Sequence, residues 1–114
     1  MKASIPPVIG AFLPYRTLIH LPTRFKHFNN DKIAGLAYVD DDHIEILAIM
    51  AQKPGTGQFR EFIQQLKEHY STIRFWVMLN DTLAAKLAEY GFMRGKDLDE
   101  YGEFTDCMDW RKPE

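Results

Sequence analysis

The segment Gln52-Lys53-Pro54-Gly55-Thr56-Gly57 holds the residues whose types and spacing best support chemistry. Glycine has no side chain, so Gly55 and Gly57 let an anionic ligand come close to the backbone. Helix-spaced apolar residues begin immediately afterwards, and a helix start directs its N–H groups and positive dipole end at such a ligand. A phosphate or pyrophosphate is the natural guest. Pro54 has no N–H, which leaves the backbone groups of Lys53, Gly55, Thr56, Gly57 and Gln58 as donors. Two other phosphate loops do not fit: a Walker loop ends in Gly-Lys-Ser/Thr, which is missing, and a dinucleotide fingerprint needs a glycine where Arg60 stands. The competing interpretation is a tight strand-to-helix turn with no ligand.

The elements that would position this loop lie on both sides of it. IAGLAYV (33–39) and HIEILAIM (43–50) read as strands joined by the turn DDD (40–42), which predicts an antiparallel hairpin. Three neighbouring carboxylates on a tight turn are expected to face water rather than a metal. Phe59, Phe62, Ile63, Leu66 and Tyr70 fall at helical spacing after the loop. IRFWVML (73–79) is the next strand. Asn80-Asp81 then offers an N-cap to a helix with Leu83, Ala84, Leu87 and Ala88 on one face, closed by Gly91. A strand-helix-strand crossover of this length predicts that 43–50 and 73–79 run parallel, with the helix on one face. FTDCMDW (104–110) closes the chain as a strand, after a polar stretch containing Gly95 and Gly102. Prolines 6, 7, 14 and 22 break any long helix in the first thirty residues, where one or two short helices are expected. No internal repeat or low-complexity segment is present.

Length and composition bound the rest. A chain of 114 residues that is 46% apolar supports a single domain, 1–114, around one core. The net charge of -2, with mixed signs along the chain, provides no basic stripe for nucleic acid. One cysteine, Cys107, excludes an internal disulfide and a Cys-rich zinc site, and a reducing, cytoplasmic setting fits best. It is expected to be an inert buried thiol. Pro6, Pro7, Pro14 and Arg16 interrupt the N-terminal apolar stretch, so it is expected to be part of the fold rather than a leader or membrane span. His20, His27 and His69 have no partners at metal-ligand spacing. Phe75, Trp76, Tyr101, Phe104 and Trp110 are expected in the core, with an acceptor pocket as the alternative role.

The segment Gln52-x-x-Gly55-x-Gly57 resembles the Arg/Gln-x-x-Gly-x-Gly/Ala loop of the GNAT N-acetyltransferase superfamily, with Leu47 at the usual distance before it. Asn80 after the next strand, and Gly91-Phe92 closing the next helix, repeat the family's Asn…Gly-Phe segment. The likeness runs from about Lys32 to the C-terminus, and short GNAT-like chains of this kind are encoded by bacteriophages, some as virion-associated proteins. The fold it implies is α/β (α+β): a mixed central sheet with helices on both faces and a shortened N-terminal region.

Several roles follow from the resemblance. The backbone from Lys53 to Gln58 would cradle the pyrophosphate of acetyl-CoA, the acyl donor, and no metal is implied. The strand edge near Leu47 and Ile49 would pair with the pantetheine arm, with Asn80 near the same arm. The two parallel strands would splay to form a slot in which an amine attacks the thioester directly. The implied partners are acetyl-CoA and an amine acceptor, without nucleic acid or membrane, and a homodimer is compatible with this. An amine must lose a proton before attack, and Asp41, His43 and Glu45 alternate along the hairpin as candidate bases. His43 is the first choice, since an imidazole's ordinary pKa of about 6.5 suits neutral pH. Glu45 comes second. The sequence departs from the family where many members carry a Tyr that protonates the departing thiolate: Leu87 occupies that position, and Tyr90 lies three residues on. The alternative to an N-acetyltransferase is a GNAT-fold protein that has lost transfer and serves as a binding or structural component, such as a phage-encoded, virion-associated one. The curtailed N-terminal region, which in the family builds much of the acceptor side, favours that reading.

Overall fold

The computed structural model describes residues 11–12, 24–51, 55 and 57–114, so most of the segment expected to hold short helices lies outside the described residues. Within it, β1 (Ala11–Phe12) pairs antiparallel with β2 (Lys26–Asn29). Residues 26–29 are thus a strand, held by the burial of Phe28 and by pairing to the hairpin that follows.

That hairpin is β3 (Ile33–Asp40) and β4 (His43–Ala51). Asp41 takes the left-handed conformation, φ 52°, which Asp tolerates better than most side chains. The pairing contains a bulge: Leu36 faces Ala48 and Ala37 faces Ile46, so Leu47 is an extra residue on β4. One inserted residue reverses the side-chain alternation beyond it. Ile44 and Ile46 are buried before the bulge, whereas Ile49 and Ala51 pack on the same core after it. Gly35 lies opposite this irregularity, where a Cβ would meet the carbonyl oxygen of Ala48 at 2.0 Å. Backbone cannot yield as a side-chain tip can, so Gly35→Ala is expected to cost about 3 kcal/mol, read as a lowered urea midpoint.

The helix α1 (Gln58–His69) buries Phe62, Ile63 and Leu66, and its connection brings β5 (Thr72–Trp76) parallel to β4. Asn80 caps α2 (Asp81–Glu89), its side chain accepting from Leu83 N at 3.0 Å. The far end is a Schellman motif: Gly91 N donates to Ala88 O at 3.1 Å and Phe92 N to Leu87 O at 3.1 Å. Gly91 supplies the required positive φ of 91°, and Phe92 is buried edge-on to Phe75. The chain closes with β6 (Met93–Leu98) and β7 (Phe104–Arg111), antiparallel to each other.

The described strands form a seven-stranded mixed sheet in the order β1-β2-β3-β4-β5-β7-β6, giving a mixed α+β fold. Phe62, Ile63 and Leu66 of α1 share one core with Ala84 and Leu87 of α2 and with Ile44, Ile73, Phe75 and Met108 of the sheet. Both described helices therefore cover the same face, where coverage of both faces was expected. The other face carries a smaller cluster of Phe25, Trp76 and Cys107. Phe75 and Trp76 are buried as expected, and Trp110 packs against the main core. Tyr101 and Phe104 are exposed instead, because they sit at the projecting end of the β6–β7 hairpin. No helix among the described residues is long and apolar enough to cross a membrane.

Candidate functional site

Parallel pairing of β4 with β5 covers only His43↔Thr72 to Ile46↔Phe75, while β4 runs on to Ala51. β5 ends at Trp76, earlier than the apolar run to Leu79 suggested, because the chain leaves β4 there. Val77 N donates to Asp106 O on β7 at 3.0 Å, and Asn80 N turns back to Val77 O at 2.8 Å. Leu79 completes that turn at φ 56° and is 96% exposed, a conformation that costs a leucine about 1–2 kcal/mol. From the Leu47 bulge onward, β4 has no β5 partner. Exposed apolar side chains stand on both strands past this point, Leu47 and Met50 on one and Met78 and Leu79 after the other.

The same open end carries the start of α1. Gly55 and Gly57 have φ of 84° and 78°, both are exposed, and a Cβ at either would have nothing within 4 Å. Gly57 is the N-cap, a residue with no side chain to cap the helix, and no side-chain cap is made among the described residues. Gln58 is its first residue, and Arg60 is exposed in its first turn. Gln52, Lys53 and Thr56 lie outside the described residues. Ile49 is half-buried on the core side of the unpaired segment. Asn80 is exposed at the start of α2, its carboxamide oxygen engaged in the cap. Leu87 is fully buried and presents nothing to a ligand, while the Tyr90 ring packs against Phe59.

The candidate bases lie on the face opposite the helices. His43 and Glu45 are brought together, His43 Nε2 lying 2.9 Å from Glu45 Oε2. Asp41 is not; it is exposed in the turn beyond the strand. Glu45 is 9% exposed and also accepts from Arg24 at 2.7 Å and from the Trp76 indole at 2.9 Å. Burial alone would push its carboxyl up, but the hydrogen bonds from His43, Arg24 and Trp76 and the Arg24 charge outweigh it and hold the pKa at about 2. Such a carboxylate is a poor proton acceptor at neutral pH, so Glu45 serves to orient and stabilise charge on its neighbours. Alongside, Arg74 makes a two-pronged pair with Asp109 at 2.7 and 2.8 Å and reaches Asp97 at 2.8 Å.

The Glu45 environment makes a stability prediction. Its folded pKa lies below the ordinary 4.5, so its contribution is complete above about 4.5 and is lost as pH falls toward about 2. That contribution is on the order of 2–3 kcal/mol. Urea midpoints measured down this range should fall for the wild type and stay flatter for Glu45→Gln.

Arg24, Thr72 and Arg74 were not read as part of any site from the sequence, and Trp76 was marked only as core, with an acceptor pocket as its alternative role. Arg24 lies in a proline-broken stretch without a motif. The other three were recoverable in principle, since Thr72 and Arg74 are the register partners of His43 and Glu45, and Trp76 follows them on the same face of β5. Cys107 is buried, and burial, with Asp109 nearby, pushes its thiol up to about 11, which fits the inert role expected. His27 and His69 join no cluster of metal-ligating side chains among the described residues, and His20 lies outside them. No protein-family model matches the chain, and no curated protein matches it.

Proposed function

We propose that the chain binds acyl-CoA and transfers its acetyl group to an amine, as a member of the GNAT superfamily. The observation that carries this reading is the β4 segment from Leu47 to Ala51, paired with β3 on one side but without a β5 partner on the other, which leads toward a glycine-led helix start. A strand edge without a partner offers N–H and C=O groups to the amides of a pantetheine arm, as an added strand would. The helix start offers N–H groups to a diphosphate. His43, held by Glu45, is the proton acceptor. His43 stands three residue pairs before the strands part, or roughly 10 Å along β4, so it reaches the amine through water.

Binding is the first test. CoA and acetyl-CoA should raise the melting temperature, since a ligand held only by the folded state stabilises it by about 2.7 kcal/mol at a hundredfold over its Kd. Desulfo-CoA should act similarly, because the diphosphate dominates the contact. A melting temperature that stays flat across millimolar CoA overturns the ligand assignment.

One observation favours a second reading, that of a binding or structural protein without transfer activity. Leu87 is buried at the position where a phenol assists thiolate departure in many members of the superfamily. General acid assistance of that kind is typically worth about 10²–10⁴ in rate.

A further inference from the structure

Three side chains on the face opposite the helices are hydrogen-bonded in series. Thr72 Oγ1 lies 2.7 Å from His43 Nδ1, and His43 Nε2 lies 2.9 Å from Glu45 Oε2. An ionised carboxylate only accepts, so Nε2 carries a proton, and in the neutral ring Nδ1 is then the acceptor for the Thr72 hydroxyl. That is the order of a nucleophile, a base and the group that orients the base. Glu45 is itself fixed by Arg24 and Trp76, so the imidazole is held from behind. His43 and Thr72 line an open cleft of about 640 Å³ that wraps the end of the sheet, together with Arg74, Asp109 and Arg111 from the same face and Ile73 and Trp110 from the helix side. Arg111 is the register partner of Thr72, is exposed, and makes no ion pair among the described residues. Arg74, by contrast, is neutralised by Asp109 and Asp97.

We propose that Thr72, His43 and Glu45 form an acyl-transfer triad that hydrolyses small activated esters in this cleft. Thr72 Oγ1 attacks the ester carbonyl carbon while its proton passes to His43 Nδ1. The resulting imidazolium is balanced by Glu45, and Arg111 faces the developing oxyanion. The carbon–oxygen bond to the leaving alcohol breaks, and that alkoxide or phenoxide takes up the proton from Nδ1, leaving an O-acyl threonine. Water then attacks the acyl carbon and gives a proton to His43. The Thr72 oxygen departs and recovers that proton, and the carboxylic acid is released. Thr72 and His43 are catalytic residues in this scheme, and Glu45 is a positioning residue.

Neither CoA nor an amine enters the reaction, so its outcome is separate from the CoA reading. The test uses p-nitrophenyl acetate with the full chain, following p-nitrophenolate release together with peptide mapping of the protein quenched during turnover. Wild type should turn over, with an acetyl group mapped to Thr72. Thr72→Val and His43→Ala should each lose about 10²-fold or more, and Thr72→Ser should retain activity. Wild-type hydrolysis no faster than that of Thr72→Val, or acetylation elsewhere with Thr72 unmodified, overturns the proposal. A valine variant that does not fold leaves the decision to the mapping of wild-type Thr72.

Discussion

Gly57→Asp should weaken CoA binding by about a hundredfold or more, equivalent to roughly 2.7 kcal/mol. The N–H groups at the start of α1 carry a share of the helix dipole and bind an anion only if it can come close. A carboxylate at Gly57 would occupy that approach with like charge. The variant introduces no steric clash, since a Cβ at Gly57 meets nothing within 4 Å. The positive φ of 78° is a cost, but Asp visits this region more readily than most residues. That strain should lower the urea midpoint modestly, by about 1 kcal/mol of stability, and leave the protein folded for the titration. Thr56→Ala changes no backbone donor and should leave affinity nearly intact. Calorimetric titration of CoA into both variants decides the matter: equal affinities would reduce the loop to a turn.

Where a local signal and a tertiary contact agree, the sequence was readable. The β3–β4 hairpin, α1 and the two ends of α2 were legible because apolar periodicity, an Asn cap and a C-terminal glycine each act within a few residues. Gly91-Phe92 shows how one pattern can have two causes. It repeats a family segment, and it also meets the demands of a Schellman cap, with Gly91 at positive φ and Phe92 buried. The edge strand β6 was not legible, since Met93-Arg94-Gly95-Lys96-Asp97-Leu98 has no buried alternation. It is held by the β7 ladder and by cross-strand charges, with Arg94 and Lys96 on Asp106 and Asp97 on Arg74. Such an edge reads as loop because its exposed, largely polar residues carry no period-2 apolar alternation, although its partner strand follows within a hairpin.

The candidate site divides in the same way. The glycine loop and the base candidates could be marked from residue types, whereas the state of Glu45 depends on Arg24 and Trp76, twenty-one and thirty-one residues away. Its carboxylate was a plausible second base in the sequence and is a fixed anion in the fold. The short β5 was also hidden. The apolar run continues to Leu79, and only the turn that places Leu79 at φ 56° explains why the strand stops at Trp76.

His43→Ala should lower acetyl transfer to an amine by about 10²–10⁴ while CoA affinity stays nearly unchanged, because a base acts on the acceptor and not on the diphosphate. Its ring is well placed for this role in one respect: Glu45, held at a pKa of about 2 chiefly because the bonds from His43, Arg24 and Trp76 outweigh burial, remains an anion that stabilises the imidazolium formed when a proton is taken up. The roughly 10 Å between His43 and the point where β4 and β5 part requires a water relay, so the loss should fall mainly on kcat rather than on KM for acetyl-CoA. The experiment is a panel of amines assayed for free CoA release, with wild type and His43→Ala side by side. Release by wild type alone supports the assignment, and equal release by both removes His43 from the mechanism. Restoring a phenol with Leu87→Tyr is a weaker complement than the family pattern suggests. Leu87 is fully buried between α2 and the sheet, and the larger side chain should cost roughly 1–3 kcal/mol in overpacking before any gain in thiolate protonation. If CoA binds and no amine releases it, the buried Leu87 becomes the physical mark of a fold that keeps its ligand and has lost its chemistry.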